Sequence, residues 1–194
     1  VDSLVLMGLG EPLDNYDNVL RFLELVSSPD GLCMSHRHIS LSTCGLVDRI
    51  YQLADLNLQI TLSVSLHASN NQVRDEIMPV NHRYPIEQLM KACQYYTDKT
   101  HRRISYEYSL IRGVNDNAQQ AEELAGLLKG MLCHVNLIPV NYVEEAGYHQ
   151  SGRQQIYAFQ KLLQSRGINA TIRRTLGADI NAACGQLRRT AING

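Results

Sequence analysis

Short runs of strand-forming residues alternate with amphipathic helical stretches along the whole chain, and that alternation restricts the fold more than any other feature. One strand and one helix recur about every 30 residues, the repeat of a βα unit. The first run, residues 4–7, is apolar throughout, which suits a strand covered on both faces. It passes into Gly8 and Gly10, then Glu11, and Pro12 stops further strand pairing. Further strands are expected over residues 39–43, 58–66, 104–111, 133–140 and 170–174. Between them the apolar spacing predicts helices over 17–26, 46–53, 86–96, 118–128 and 154–164. Another helix begins after Asn70, with Arg74 and Glu76 on its solvent side and Pro79 ending it; the run Asn115-Asp116-Asn117 caps the helix that starts at 118.

Right-handed crossovers between such units build a curved parallel sheet with its helices outside. A closed eight-fold barrel takes ~250 residues. With 194 residues the chain supplies part of one, as a single domain spanning 1–194 with no Gly-, Ser- or Pro-rich linker. The expected fold class is α/β, a partial (β/α) barrel. Because Val1 opens directly on a strand, the sequence reads as a piece whose N-terminal part lies elsewhere.

Composition narrows the function. Hydrophobic residues make up 44% and charged residues 19%, the balance of a globular segment. No apolar run is long enough to span a bilayer, and no signal peptide is evident. Five cysteines (33, 44, 93, 133 and 184) lack paired spacing, which predicts cytoplasmic thiols and neither a disulfide framework nor a metal site. The formal net charge of −1 leaves nucleic-acid contact to local clusters: His36-Arg37-His38, His101-Arg102-Arg103 and Arg188-Arg189.

In parallel barrels, ligands sit at the carboxyl ends of the strands. The polar residues expected there are Glu11, Ser42, Ser65 with His67, Glu107 and Asn141. A carboxylate can hold an ammonium, and Ser or Asn can bond a carboxylate or a ribose hydroxyl, so the set suits an amino acid joined to a nucleoside. Such residues also serve ordinarily as caps of the helices that follow.

Five segments carry a resemblance. They are Met7-Gly-Leu-Gly-Glu-Pro-Leu-Asp-Asn15, Leu41-Ser-Thr-Cys-Gly45, Ser63-Val-Ser-Leu-His-Ala68, Asn136-Leu-Ile-Pro-Val-Asn141 and Asp179-Ile-Asn-Ala-Ala-Cys-Gly-Gln-Leu187. In order and spacing the chain resembles the RlmN/Cfr group of radical S-adenosylmethionine (SAM) RNA methyltransferases, with RlmN the nearer. The resemblance implies a radical SAM barrel entered at its second strand. It implies that Gly10, Glu11, Ser42, Ser65, Leu66, His67 and Asn141 bind SAM, and it leaves Glu107 with a supporting role. It makes Cys184 the catalytic thiol: methylated by one SAM, it becomes an S-methylcysteine from which a radical derived from a second SAM removes hydrogen. The product is a methyl group on carbon 2 of adenine in 23S rRNA and tRNA.

The same resemblance implies a 4Fe-4S cluster whose CxxxCxxC ligands are expected upstream of Val1, with no metal ligand in this chain. It also implies an electron donor, a transient catalytic disulfide as the sole disulfide, and a cytoplasmic protein with no membrane partner. Without the cluster ligands the chain alone is expected to be inactive. The alternatives are a Cfr-like enzyme acting on carbon 8 and a non-catalytic remnant that binds SAM or RNA.

Overall fold

The structure, a computed structural model, describes residues 1–7, 10–140 and 147–173. Six strands form one sheet in chain order, and every neighbouring pair is parallel. They are β1 (Leu4–Leu6), β2 (Ile39–Thr43), β3 (Thr61–Ser65), β4 (Ile104–Leu110), β5 (Cys133–Pro139) and β6 (Ala170–Ile172). The helices between them are α1 (Tyr16–Ser27), α2 (Val47–Asp55), α3 (Asn71–Ile77), α4 (Ile86–Thr100), α5 (Ala118–Leu127) and α6 (Arg153–Ser165). Parallel neighbours in sequential order, each joined through a helical crossover, make the partial barrel expected from the βα alternation.

The boundaries moved where local chemistry competed. β3 begins at Thr61 and not at 58, because Asn57, in the left-handed region at φ 48°, turns the chain before it extends. α4 runs four residues past Tyr96, to a left-handed His101 at φ 53° whose N–H closes onto Thr97 O at 2.9 Å.

The two faces of the sheet differ in kind. Register puts Ile39, Leu41, Leu62, Val64, Tyr106, Tyr108, Val135 and Leu137 on one face, all fully buried in a single apolar cluster with the helices. The opposite face carries Ser40, Ser42, Thr61, Ser63, Ser65, Ser105, Glu107, His134, Asn136 and Thr171 in register. Val5 of β1 pairs with Ser40 on that polar side and is 62% exposed, so the expectation of a first strand covered on both faces does not hold among the described residues. A closed barrel fills its interior with branched apolar side chains. Here the corresponding face is polar.

Candidate functional site

The carboxyl ends of β1, β2 and β3 bring four of the expected polar residues, Glu11, Ser42, Ser65 and His67, to one edge of the sheet. Gly10 sits at φ +75°, in the left-handed region that glycine occupies at no steric cost, and turns the chain out of β1. The next residue, Glu11, caps the short 3-10 helix Pro12–Asn15: its Oε1 accepts from the Leu13 N–H at 3.0 Å. Its Oε2 accepts from the Cys44 N–H at 2.6 Å and so ties the tip of β1 to the tip of β2. The capping role that polar loop residues ordinarily play is present here. Each oxygen keeps a further lone pair for a cation.

Ser42 and Ser65 are half-buried on the polar face, near the carboxyl ends of β2 and β3. Leu66 faces the core and is fully buried; its N–H donates to Glu107 O at 3.1 Å, and its carbonyl accepts from Arg74. His67 stands in the left-handed region at φ 56°. Its N–H also donates to Glu107 O, at 3.2 Å, while its Nδ1 accepts from the Ser109 N–H at 3.1 Å. An accepting Nδ1 fixes the ring proton on Nε2. Burial, aided by the charge of Arg74, lowers the imidazole pKa to about 4, so the ring is neutral and offers one N–H.

Glu107 lies on the same polar face, directly across from Ser65 and from Asn136. Its carboxylate accepts from Asn136 Nδ2 at 2.8 Å and Ser105 Oγ at 3.3 Å. Burial raises its pKa against the opposing pull of those two bonds and of Arg173.

Two residues that hold this edge together were not legible as such. Arg74, expected on the solvent side of α3, is 0% exposed. Its Nε donates to Leu66 O at 3.1 Å, Nη1 to Asn81 Oδ1 at 3.0 Å, and Nη2 to Cys44 O at 2.8 Å and Ser65 O at 3.2 Å. Nothing in the local spacing marks it, since its partner Asn81 lies beyond Pro79 in a separate 3-10 turn. Asn115, read as part of a helix cap, is also fully buried. It donates to His67 O and Ser109 O, both at 2.7 Å, and accepts from the Ile111 N–H at 2.7 Å. Asn117 is the residue that caps α5, in a capping box with Gln120.

Asn141 and Cys184 lie outside the described residues. Of the three basic clusters, His36-Arg37-His38 precedes β2 and His101-Arg102-Arg103 precedes β4. In an all-parallel sheet those positions share the amino-terminal edge, away from Glu11 and His67; the third, Arg188-Arg189, is outside the described residues.

The donor set at the carboxyl edge fits SAM: a carboxylate for the ammonium, two serine hydroxyls and a neutral imidazole N–H for carboxylate or ribose oxygens. It does not fit an iron–sulfur cluster. Among the described residues no group of three metal-ligating side chains comes together, and Cys33, Cys44, Cys93 and Cys133 are dispersed from surface to core. No helix among them is long and apolar enough to cross a membrane.

Comparison with known proteins accords with this geometry. The chain is 56% identical over 189 residues to a protein of Thermoanaerobacter sp. (strain X514) named probable dual-specificity RNA methyltransferase RlmN, covering 97% of this chain and 55% of that protein. A protein of the same name from Clostridium beijerinckii is 56% identical over 193 residues, covering 100% of this chain and 55% of the other. The chain thus spans about half the length of these curated relatives. The crystal structure of a radical SAM methyltransferase from Sphaerobacter thermophilus superposes with a TM-score of 0.92 at 46% identity, over 96% of this chain and 55% of that one. A domain of a pyruvate-formate lyase-activating enzyme from Bacteroides vulgatus shares the fold, with a TM-score of 0.68 at 18% identity. Residues 2–125, more than half of the chain, match the Radical SAM superfamily, and the chain belongs to that superfamily.

Proposed function

We propose that this chain, as a single domain over 1–194, is the cofactor-binding part of a cytoplasmic RlmN-type enzyme that methylates carbon 2 of adenine in 23S rRNA and tRNA. The observation that carries the reading is the gathering of Glu11, Ser42, Ser65 and His67 at the carboxyl edge of three adjacent parallel strands, in a chain similar to proteins named RlmN. SAM, when bound, supplies the methyl group and, once reduced at a 4Fe-4S cluster held outside this chain, the radical that an electron-poor adenine carbon requires.

The chain's own groups bind and orient. Glu11 holds the ammonium of the methionine portion while keeping β1 and β2 together. Ser42 and Ser65 offer hydroxyls, His67 its Nε2–H, and Asn141 completes the set. Gly10 leaves open space where a side chain would stand. Cys184 is the nucleophile: as a thiolate it would accept the methyl group that a bound SAM would supply. An electron donor and the two RNAs are the partners this chemistry needs. The target adenine must leave its stack to reach the strand ends.

The test is complementation of a deletion strain with the full-length gene, followed by mass mapping of rRNA and tRNA. The wild type should restore a methyl group on carbon 2. Cys184→Ala should abolish it, and Cys93→Ala, deep in the core, should not. Methylation at carbon 8, or full turnover by Cys184→Ala, would overturn the assignment.

A further inference from the structure

We propose that Arg74 is a positioning residue of the SAM site, a sealed guanidinium that fixes the carboxyl ends of β2 and β3 in the arrangement that presents Ser65 and His67 to the ligand. The inference rests on the SAM-binding reading above and adds to it a residue that touches no ligand.

The geometry carries it. The β2–β3 ladder ends at the pair Thr43↔Val64, and beyond that pair the two chains part. At that point the ladder is replaced by one atom: Arg74 Nη2 donates to Cys44 O on the β2 side and to Ser65 O on the β3 side, at 2.8 and 3.2 Å. The Nε–H takes Leu66 O, one residue further along, and Nη1 is itself held by Asn81. Asn81 is fixed in turn through its own amide, which donates to Asn71 Oδ1 at 3.1 Å and Asp75 Oδ1 at 2.6 Å. Four of the five guanidinium N–H bonds are therefore used, three of them on main-chain carbonyls at the strand ends.

Two further features point the same way. Gly45, at φ +109°, has no Cβ where one would stand 3.3 Å from Arg74 Nη2 and 3.1 Å from Leu89, so the β2 loop can close over the guanidinium. No described carboxylate forms an ion pair with Arg74. A buried charge satisfied only by neutral acceptors is costly to desolvate and a poor way to stabilise a core. What it does well is fix several carbonyls at once, because the guanidinium is a rigid planar fork. Lysine, a flexible point charge with three donors, cannot reproduce that pattern.

The experiment uses the full-length, cluster-loaded protein and equilibrium binding of SAM, with RNA KM and kcat measured alongside. Arg74→Met should weaken SAM binding about tenfold or more, a loss of the size expected when a buried multi-bond contact is removed. Arg74→Lys should fall between that variant and the wild type, and RNA KM should stay within about twofold. Leu163→Ala, a cavity in the core beneath α6, serves as a control of matched stability and should leave SAM affinity unchanged. If Arg74→Met does not fold, Arg74→Lys carries the test. Unaltered SAM affinity in the folded Arg74 variants, or an equal loss in Leu163→Ala, would overturn the inference while leaving the site reading intact. A wild-type protein that binds no SAM would overturn both.

Discussion

His67 shows how much one side chain can reveal about its setting. The folded imidazole titrates at about 4 against an ordinary 6.5, because burial, and secondarily the charge of Arg74, opposes its protonation. Between those two values the unfolded chain binds more protons than the folded one, so stability is held in full above pH 6.5 and is lost as the pH falls toward 4. His67→Asn tests this, since asparagine tolerates the left-handed backbone and does not titrate. Its urea midpoint should fall less between pH 7 and pH 5 than that of the wild type. Equal slopes in the two proteins would mean that the imidazole titrates in the fold as it does in the unfolded chain. The pairing of Nδ1 with the Ser109 N–H argues otherwise, because a protonated ring has no acceptor to offer there.

Among the elements, the turn between β4 and α5 separates two asparagines that look alike in sequence. Asn117 is an exposed cap, and replacing it with alanine should cost about 1 kcal/mol. Two residues away, Asn115 is buried, and its loss would strand the carbonyls of His67 and Ser109 and the N–H of Ile111. Unpaired buried polar groups each carry a desolvation penalty, so Asn115→Ala should cost roughly 3 kcal/mol or more. Thermal unfolding of the two variants side by side provides the check, and comparable losses would refute the clamp assigned to Asn115. The same contrast applies to Arg74 on α3. A seven-residue helix has few apolar positions, so nothing in its periodicity announces that Arg74 turns inward.

Across the whole molecule, the sheet sorts the described cysteines by depth. Cys33 is exposed. Burial pushes the thiol pKa of Cys93 up to about 12 and that of Cys133 to about 11. Cys44 is also pushed up to about 12, by burial first and then by the neighbouring Glu11. Since the thiolate is the reactive form, alkylation of the native protein at pH 8 should modify Cys33 well ahead of the other three. Unfolding in urea should level the rates, as mass spectrometry of the modified peptides would record. Modification of Cys44 as fast as Cys33 would show that the Glu11–Cys44 edge is open in solution.

The order of strands and helices was legible in the chain because backbone preference and apolar spacing act over a few residues, and Gly10, Pro12 and Pro79 mark breaks whatever surrounds them. The motifs around Glu11, Ser65 and His67 could likewise be found by eye. Even the polar inner face was written in alternations such as Ile-Ser-Leu-Ser-Thr and Ser-Tyr-Glu-Tyr-Ser, although the unbroken apolar run at residues 4–7 suits a first strand buried on both sides. What no local pattern could give is which polar side chains end up beneath the surface. Arg74 and Asn115 are ordinary helix or loop residues in sequence, and they become clamps only because folding brings carbonyls from β4 and from the ends of β2 and β3 within 3.2 Å of their donors. Hydrogen bonding is short-ranged and directional, so its partners exist only once distant segments of the chain have met.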